Sequence, residues 1–578
     1  MKIIKTLYLG LGLIAGSTLS SCNDLNLIPL SETSTGNWYS TETELEMAAN
    51  EFYKIGYWQE IWNILEQSTD NFTYRNTNRY SILDGTLSSS GGDGGWFCQT
   101  QWEKNYKLIA MANMLLEKSE RALNAGVSTA VVEKYRAEAK FARACGYATL
   151  ITFFGDVPYL DKNLTIEEAL KLGRRSKEEI IPLMYQDFED AAALLPASYG
   201  NNAKRFTKGA VYGMKARFAM YLNDYETALE AAQKCMDLKT YELHADFAEY
   251  FLATTKNSKE SVFCFPRSIE NNATLDGWIV NNQTSRNSGG YGSASPSWDL
   301  LASFLCTDGK PIDESPLFDS KNPFKNRDPR CAATIVEFDT PHLGFNYTPH
   351  PDSLKVWNYK TGKLQQNNDS RAVAQYASFN GLLWKKGIDE TWLANSKKVE
   401  NDFILLRYAD VMLMYAEAKI ELNRIDQSVL DCINAVRARA YGVDKTKLDQ
   451  YPAVTTTNQA ELRRILRAER RMEFANEGGV RYMDLVRWRL AEKVLNSFNY
   501  GILYPATDLR DKVTSKGLWF WPTTPKIDED GCADFSEMAT AGLIAPLSER
   551  HWPERQYLWP IPEVDILVNP ALKQNPGY

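Results

Sequence analysis

Reactive side chains are sparse in this chain and follow no catalytic spacing. Its 578 residues hold only four histidines, His244, His342, His350 and His551, none of them in an HExxH helix, and neither a GxSxG elbow nor a P-loop occurs. GGDGG at 91–95 lacks the strand-to-helix setting of a dinucleotide fingerprint. The 73 acidic residues leave a glycosidase-like carboxylate pair open, because that chemistry needs only two at the right separation. Of nine cysteines, all but Cys22 lie in the body of the chain without any CxxC, and Cys145, Cys235 and Cys432 fall on helical faces where a small apolar residue belongs. Free, buried thiols are expected there, with no disulfide framework and no zinc site.

The stronger signal is aromatic, with 15 Trp and 30 Tyr. Most such rings belong to a core, so the informative ones stand among Gly, Ser and Asn in loops, beside polar side chains that could fix a ligand. One group is Asp70, Tyr74, Arg75, Trp96 and Phe97, the last two closing SSSGGDGGWF (88–97), which reads as a flexible loop. A second lies in GWIVNNQTSRNSGGYGSASPSW: Trp278, Asn281, Asn282, Arg286 and Tyr291. Tyr347, Trp357 and Tyr359 form a weaker third. With 65 basic against 73 acidic residues the net charge is −8, which offers no basic field for nucleic acid.

The elements that must carry these residues are mostly helical. TETE (41–44) has capping-box spacing and opens a helix with Leu45, Ala48, Ala49 and Phe52 on one face. Helices follow at about 102–123 and 131–154; SKEE (176–179) caps another that ends near 194, with Pro182 requiring either a later start or a kink. KGAVYGMKARFAMYL and LNDYETALEAAQKCMDL form an antiparallel hairpin turned at Asn223 and Asp224, with Gly and Ala on the facing sides, a pattern similar to a tetratricopeptide (TPR) unit. Such a hairpin cannot bury its apolar face alone and implies stacked neighbours. From 241 to 402 the chain turns to Asn, Ser, Gly, Pro and aromatics, too long for a connection and better read as an irregular subdomain. Helical pattern returns at 403–423, 426–440, 461–478 and 480–496. In ERRMEFANEGGVRYMDLVRW (469–488) the Glu and Arg should form ion pairs over a helix junction, and YLWPIP, with two prolines, should be an extended segment that buries Trp559.

The N-terminus is a processing signal: Lys2 and Lys5, an apolar stretch over 7–14, then LSSC (19–22). That lipobox predicts removal of residues 1–21 and lipid on Cys22, an ordinary signal peptide being the alternative. More than one acyl chain makes attachment to a membrane durable.

Together, the lipobox, AEAKFARACGYATLITFFGDVPY, RFTKGAVYGMKARFAMYLNDYETALEAAQ, RYADVMLMYAEAK, INAVRARA, ERRMEFANEGGVRYMDLVRW, YLWPIP and QNPGY resemble the SusD/RagB family of Bacteroidetes surface lipoproteins over nearly the whole chain. The resemblance implies a mainly α fold with a TPR-like helical scaffold, divided here into 22–40 (lipidated spacer), 41–240, 241–402 (loop-rich) and 403–578. It implies a glycan-binding, non-catalytic protein of the outer membrane, facing outward, that captures an oligosaccharide or polysaccharide on loops of one face. Its helical side would meet a SusC-like TonB-dependent transporter. Rings would stack on the C–H faces of sugars while Asp, Asn, Gln or Arg hold the hydroxyls. No cofactor is implied; a structural calcium ion is allowed but cannot be read. Ligand contacts do not transfer by position within the family, so the candidates above stand on composition. The alternatives are a peptide-binding TPR scaffold or structural lid, and a surface glycoside hydrolase. The net charge leans toward a neutral glycan, whereas Arg75, Arg79 and Arg286 would accept an acidic one.

Overall fold

The computed structural model describes residues 38–58, 64–200 and 205–578; Cys22, the signal and most of the spacer lie outside the described residues. Thr41 opens helix α1 (Glu42–Asn50) as a reciprocal cap, its hydroxyl accepting the Glu44 N–H at 3.2 Å while the Glu44 carboxylate accepts the Thr41 N–H at 3.1 Å. Leu45, Ala49 and Phe52 are fully buried beneath it. The long helices that follow are α2 (Gly92–Lys118), α3 (Thr129–Phe154), α4 (Lys177–Leu194), α5 (Lys208–Tyr221) and α6 (Tyr225–Asp237); then come the short α7 (Gly277–Gln283), α8 (Tyr408–Glu421), α9 (Gln427–Ala440), α10 (Gln459–Phe474) and α11 (Val480–Arg487).

Each helix from α2 to α6 packs on the next, and α6 then packs on α8, so the hairpins on either side of the irregular segment stack into one scaffold. The α5–α6 reversal falls at Asn223, which adopts a left-handed φ of 58°, and Asp224, whose carboxylate accepts the Thr227 N–H at 3.1 Å. Small residues allow the close approach: a β-carbon on Gly213 would strike the buried Leu406 side chain, and one on Gly209 would strike Tyr241. Helix α4 starts at its Ser176 cap and carries Pro182 inside, so the later start does not occur.

Three expectations change. The helix expected over 480–496 breaks after Arg487, where Arg489 takes a left-handed φ of 56°. SSSGGDGGWF is not a free loop, because α2 begins at Gly92 and takes in Trp96 and Phe97. Nor is 403–407 helical: FILLR is a strand, β8 (Phe403–Arg407), paired antiparallel with β2 (Ser261–Phe265) before the chain enters α8. A short apolar run such as FILL carries no period that separates strand from helix.

A second core lies beyond the helices, around Trp298, Trp384 and Trp521 with Phe72, Val280, Met472, Ile502 and Phe535. It is covered by little regular structure. A two-stranded ribbon joins β1 (Phe72–Tyr74) to β3 (Ala294–Pro296), and four strands, β4 (Thr340–His342), β5 (Phe345–Tyr347), β6 (Lys355–Asn358) and β7 (Lys363–Gln366), form an antiparallel meander. This layer therefore draws on Phe72 and on 502–544 as well as on the loop-rich stretch itself.

The charged junction lies between the two cores. Its ion pairs form as expected, but inside the molecule. Asp410 meets Arg217 at 2.6 Å and Arg470 at 2.8 Å, Glu417 meets Arg487 at 2.5 Å, and Glu473 is shared by Arg407, Arg439 and Arg330. Trp559 is buried, as expected of YLWPIP. Cys98, Cys145, Cys235, Cys306, Cys331, Cys432 and Cys532 are free thiols, and burial pushes those of Cys235 and Cys432 up to about 12, so they stay protonated. Among the described residues no helix is long and apolar enough to cross a membrane.

Candidate functional site

The β1–β3 ribbon brings the first and second groups of candidates together. Phe72 pairs with Pro296, Thr73 with Ser295 and Tyr74 with Ala294, which sets Tyr74 against the segment that follows α7. The chain then turns sharply, the Thr77 N–H donating to the Tyr74 carbonyl at 3.2 Å with Arg75 at a left-handed φ of 49°. Non-glycine residues held in that region cost roughly 1 kcal/mol or more and cluster at binding sites. From the other side Asp276 caps α7 by accepting the Trp278 N–H at 2.8 Å, which fixes the indole at the helix start.

Rings and guanidinium groups alternate across this surface. The Tyr74 and Trp278 rings lie 6.1 Å apart at 36°. Arg79 is 4.8 Å from the Trp278 ring centre, 5.5 Å from Tyr74 and 4.8 Å from Tyr80. Arg75 is 5.8 Å from Tyr74 and 5.3 Å from Tyr376, a ring that is 50% exposed. The Arg286 guanidinium reaches the Tyr376 carbonyl at 3.5 Å, and Arg371 lies between Phe379, at 3.8 Å, and Tyr504, at 4.0 Å. Burial between those rings lowers the Arg371 guanidinium to about 10, so it stays charged at neutral pH.

Beneath the surface a polar seam holds the two loops in place. Asp369 accepts the Arg286 N–H at 2.7 Å and the Asn287 N–H at 3.4 Å; Asn287 donates to Asn367 at 3.1 Å and accepts the Asn368 N–H at 2.8 Å. Desolvation raises the Asp369 carboxyl to about 6 in spite of those donors. The arrangement offers flat apolar faces edged by guanidinium donors. Such a surface is complementary to a molecule with apolar faces and a polar rim.

Four candidates, Tyr74, Arg75, Trp278 and Arg286, meet here. Trp96 is 49% exposed and leans on Phe97, which meets Tyr80 edge to face, so it extends the same run of rings. Tyr291 is exposed, its N–H tied to the Asn281 carbonyl at 2.7 Å. The Asn281 side chain is occupied by the Gly277 carbonyl and the Lys397 ammonium. Three candidates are internal and present no surface to a ligand: Asp70 is buried against Arg471 and Arg481, Phe97 is core, and buried Asn282 donates to the Trp278 carbonyl at 2.7 Å. In the third group Tyr347 is buried with its hydroxyl on the Gly381 carbonyl, while Trp357 and Tyr359 are exposed on and just after β6. Arg371, Tyr376, Phe379 and Tyr504 were not among the candidates. SRAVAQYASFNG (370–381) meets the same criterion, rings and Arg among Ala, Ser, Gln and Asn, and would have supplied the first three.

Residues 248–578, more than half of the chain, match the SusD family, and residues 27–222 match a family described as starch-binding associating with outer membrane. The chain belongs to the SusD family. SusD-like protein P25 of Formosa agariphila is 24% identical over 431 residues, covering 71% of this chain and 73% of its own. A SusD-like protein of Bacteroides ovatus is 24% identical over 506 residues, 82% of this chain and 80% of its own. Among solved structures, a SusD-like carbohydrate binding protein from Bacteroides fragilis is 29% identical and superposes with a TM-score of 0.74 over 93% of this chain and 99% of that one. A laminarin binding SusD-like protein, 18% identical with a TM-score of 0.57 over 93% of this chain and 100% of that one, shares the fold. Both the SusD/RagB resemblance and the mainly α SusD-like fold are thus established for this chain.

Proposed function

We propose that this SusD-family protein is a non-catalytic glycan-binding protein whose binding face is the surface around Trp278, Tyr74 and Tyr376. One observation carries the reading: separate loops converge to present these rings side by side, with guanidinium groups at their edges. A sugar ring has an apolar C–H face and a rim of hydroxyls, which is the complement of that surface. Similarity to a SusD-like carbohydrate binding protein over nearly the whole chain supports it. Anchored by lipid at Cys22 on the outer membrane, the protein would hand the captured glycan to a SusC-like TonB-dependent transporter, with no bond broken here.

Affinity electrophoresis and calorimetry of the full-length protein against a glycan panel test the binding step. Retention by a polysaccharide without release of shorter products is expected. Each ring contributes about 1 kcal/mol beyond the area it covers, so Trp278→Ala and Tyr376→Ala should each weaken binding roughly fivefold or more, with Trp96→Ala probing the extension. Release of products would make the protein an enzyme; full retention in all three variants would move the site elsewhere. For delivery, deleting this protein while keeping the transporter should impair growth at limiting glycan, and unchanged uptake would count against that role.

A further inference from the structure

Many interior arginines hold carboxylates, while others, Arg267 and Arg327, are buried against backbone carbonyls. Arg217, Arg407, Arg481 and Arg487 each hold a buried carboxylate at 2.5–2.9 Å. Among the described residues Arg75, Arg79, Arg286 and Arg371 form no ion pair with any carboxylate. Their contacts are with neutral groups: Arg286 with the Tyr376 carbonyl, Arg371 with the Gln375 carbonyl and Arg79 with the Tyr80 ring. The Nε groups of Arg75, Arg79 and Arg286 are buried without an acceptor. Carboxylates do stand nearby, but they are engaged by backbone: Asp369 by the Arg286 and Asn287 N–H groups, Asp276 by Trp278, and Asp93 by Ser81 and Gly94. A protein with a net charge of −8 thus gathers four guanidinium groups on one aromatic surface, none of them in salt-bridge contact with a carboxylate among the described residues, although the buried Asp369 lies close enough to Arg286 for their charges to interact.

A neutral sugar would be served by free carboxylate or amide acceptors for its hydroxyls, and here Asp369, Asn281 and Asn287 are committed to holding the loops. Guanidinium forks match carboxylate and sulfate oxygens in pairs, and they do so most strongly where neighbouring rings exclude water. The acidic remainder of the molecule repels a polyanion at long range, but that repulsion is screened beyond about 8 Å at physiological salt. Contact charge therefore decides. We propose that this face takes an anionic glycan, one bearing uronate carboxylates or sulfate esters, with the Trp278, Tyr74 and Tyr376 rings covering sugar faces and Arg75, Arg79 and Arg286 pairing the anionic groups. This rests on the reading of the same face as the glycan site.

The full-length protein is titrated with polygalacturonate and its carboxyl-reduced product, and with a carrageenan and its desulfated product. The expected result is retention by one acidic polymer, on the order of tenfold weaker for its neutralised counterpart, and weaker again as NaCl rises from about 0.05 to about 0.5 M. Which pair responds tells carboxylate from sulfate. Arg75→Gln and Arg286→Gln should reproduce the loss for the acidic polymer; because the neutralised polymer reads the same charge from the ligand side, a variant that fails to fold does not decide the matter. Equal or tighter binding of a neutralised polymer, or binding untouched by folded arginine variants, overturns the anionic assignment and leaves the glycan-binding reading standing. If none of the four polymers, acidic or neutral, is retained, both readings fall together.

Discussion

At the Asp70 carboxylate, burial alone would favour the neutral acid, yet Arg471 at 2.7 Å and Arg481 at 2.9 Å outweigh it and hold the group well below the ordinary carboxylate range. Five residues later Arg75 stands at the surface without any such partner. The difference decides what each can do. Asp70 joins the segment before β1 to α10 and α11, so Asp70→Asn leaves two buried guanidinium groups short of charge. Breaking one partner of a buried pair costs about 3–5 kcal/mol, and urea unfolding should show a loss of that size. A change below about 1 kcal/mol would mean that the pair does not hold the two layers together.

Among the elements, the contact between α5 and β8 is the tightest to argue from. Gly213 lets the helix sit directly on Leu406, which is 1% exposed and has no free space to move into. Alanine is the better helix former by roughly 1 kcal/mol. Against that, forcing a methyl group into a filled core costs about 1–3 kcal/mol, so Gly213→Ala should lower the melting temperature and Leu406→Ala should relieve part of the effect. A higher melting temperature for Gly213→Ala alone would contradict the close approach. The same helix hairpin shows why small residues on facing sides were a sound guide to stacking.

For the molecule as a whole, the buried charge network makes stability depend on pH in two opposed ways. Burial raises the Asp410 pKa, but Arg217 and Arg470 outweigh it and bring the carboxyl from 3.8 to about 2. A depressed carboxyl stabilises the fold above its unfolded pKa, and that contribution is lost as pH falls from 3.8 toward 2. Glu66 runs the other way. Desolvation lifts it from 4.5 to about 7 despite the Asn476 and Gly479 N–H groups, so the folded state binds a proton more tightly and its contribution fades as pH rises through that window. Urea midpoints measured against pH should drop steeply in acid and decline gently between about 4.5 and 7, and Glu66→Gln should remove the upper part of the gentle limb, with Asp369, raised to about 6, contributing below it. An unchanged limb in that variant would assign it to another group.

Periodicity, capping and turn chemistry are local, so the sequence by itself determined the caps at Thr41 and Ser176, the α5–α6 reversal at Asn223 and Asp224, the buried thiols of Cys145, Cys235 and Cys432, the buried Trp559 and the SusD-family scaffold. It also marked the residue types that make up the proposed binding surface: rings and Arg among small polar residues. Tertiary structure alone decided which of them face outward together. Tyr74 and Trp278 are some two hundred residues apart and meet only because β1 pairs with β3, while Tyr376 joins them through a loop pinned by Asp369 and Asn287. Asp70, Phe97 and Asn282 match the same composition and are internal, because residue type says nothing about which side of a turn or helix the chain presents. Nor could charge counting find the unpaired arginines. An ion pair such as that of Asp70 with Arg481 spans more than four hundred residues, and only the folded chain shows which cations meet a carboxylate and which do not.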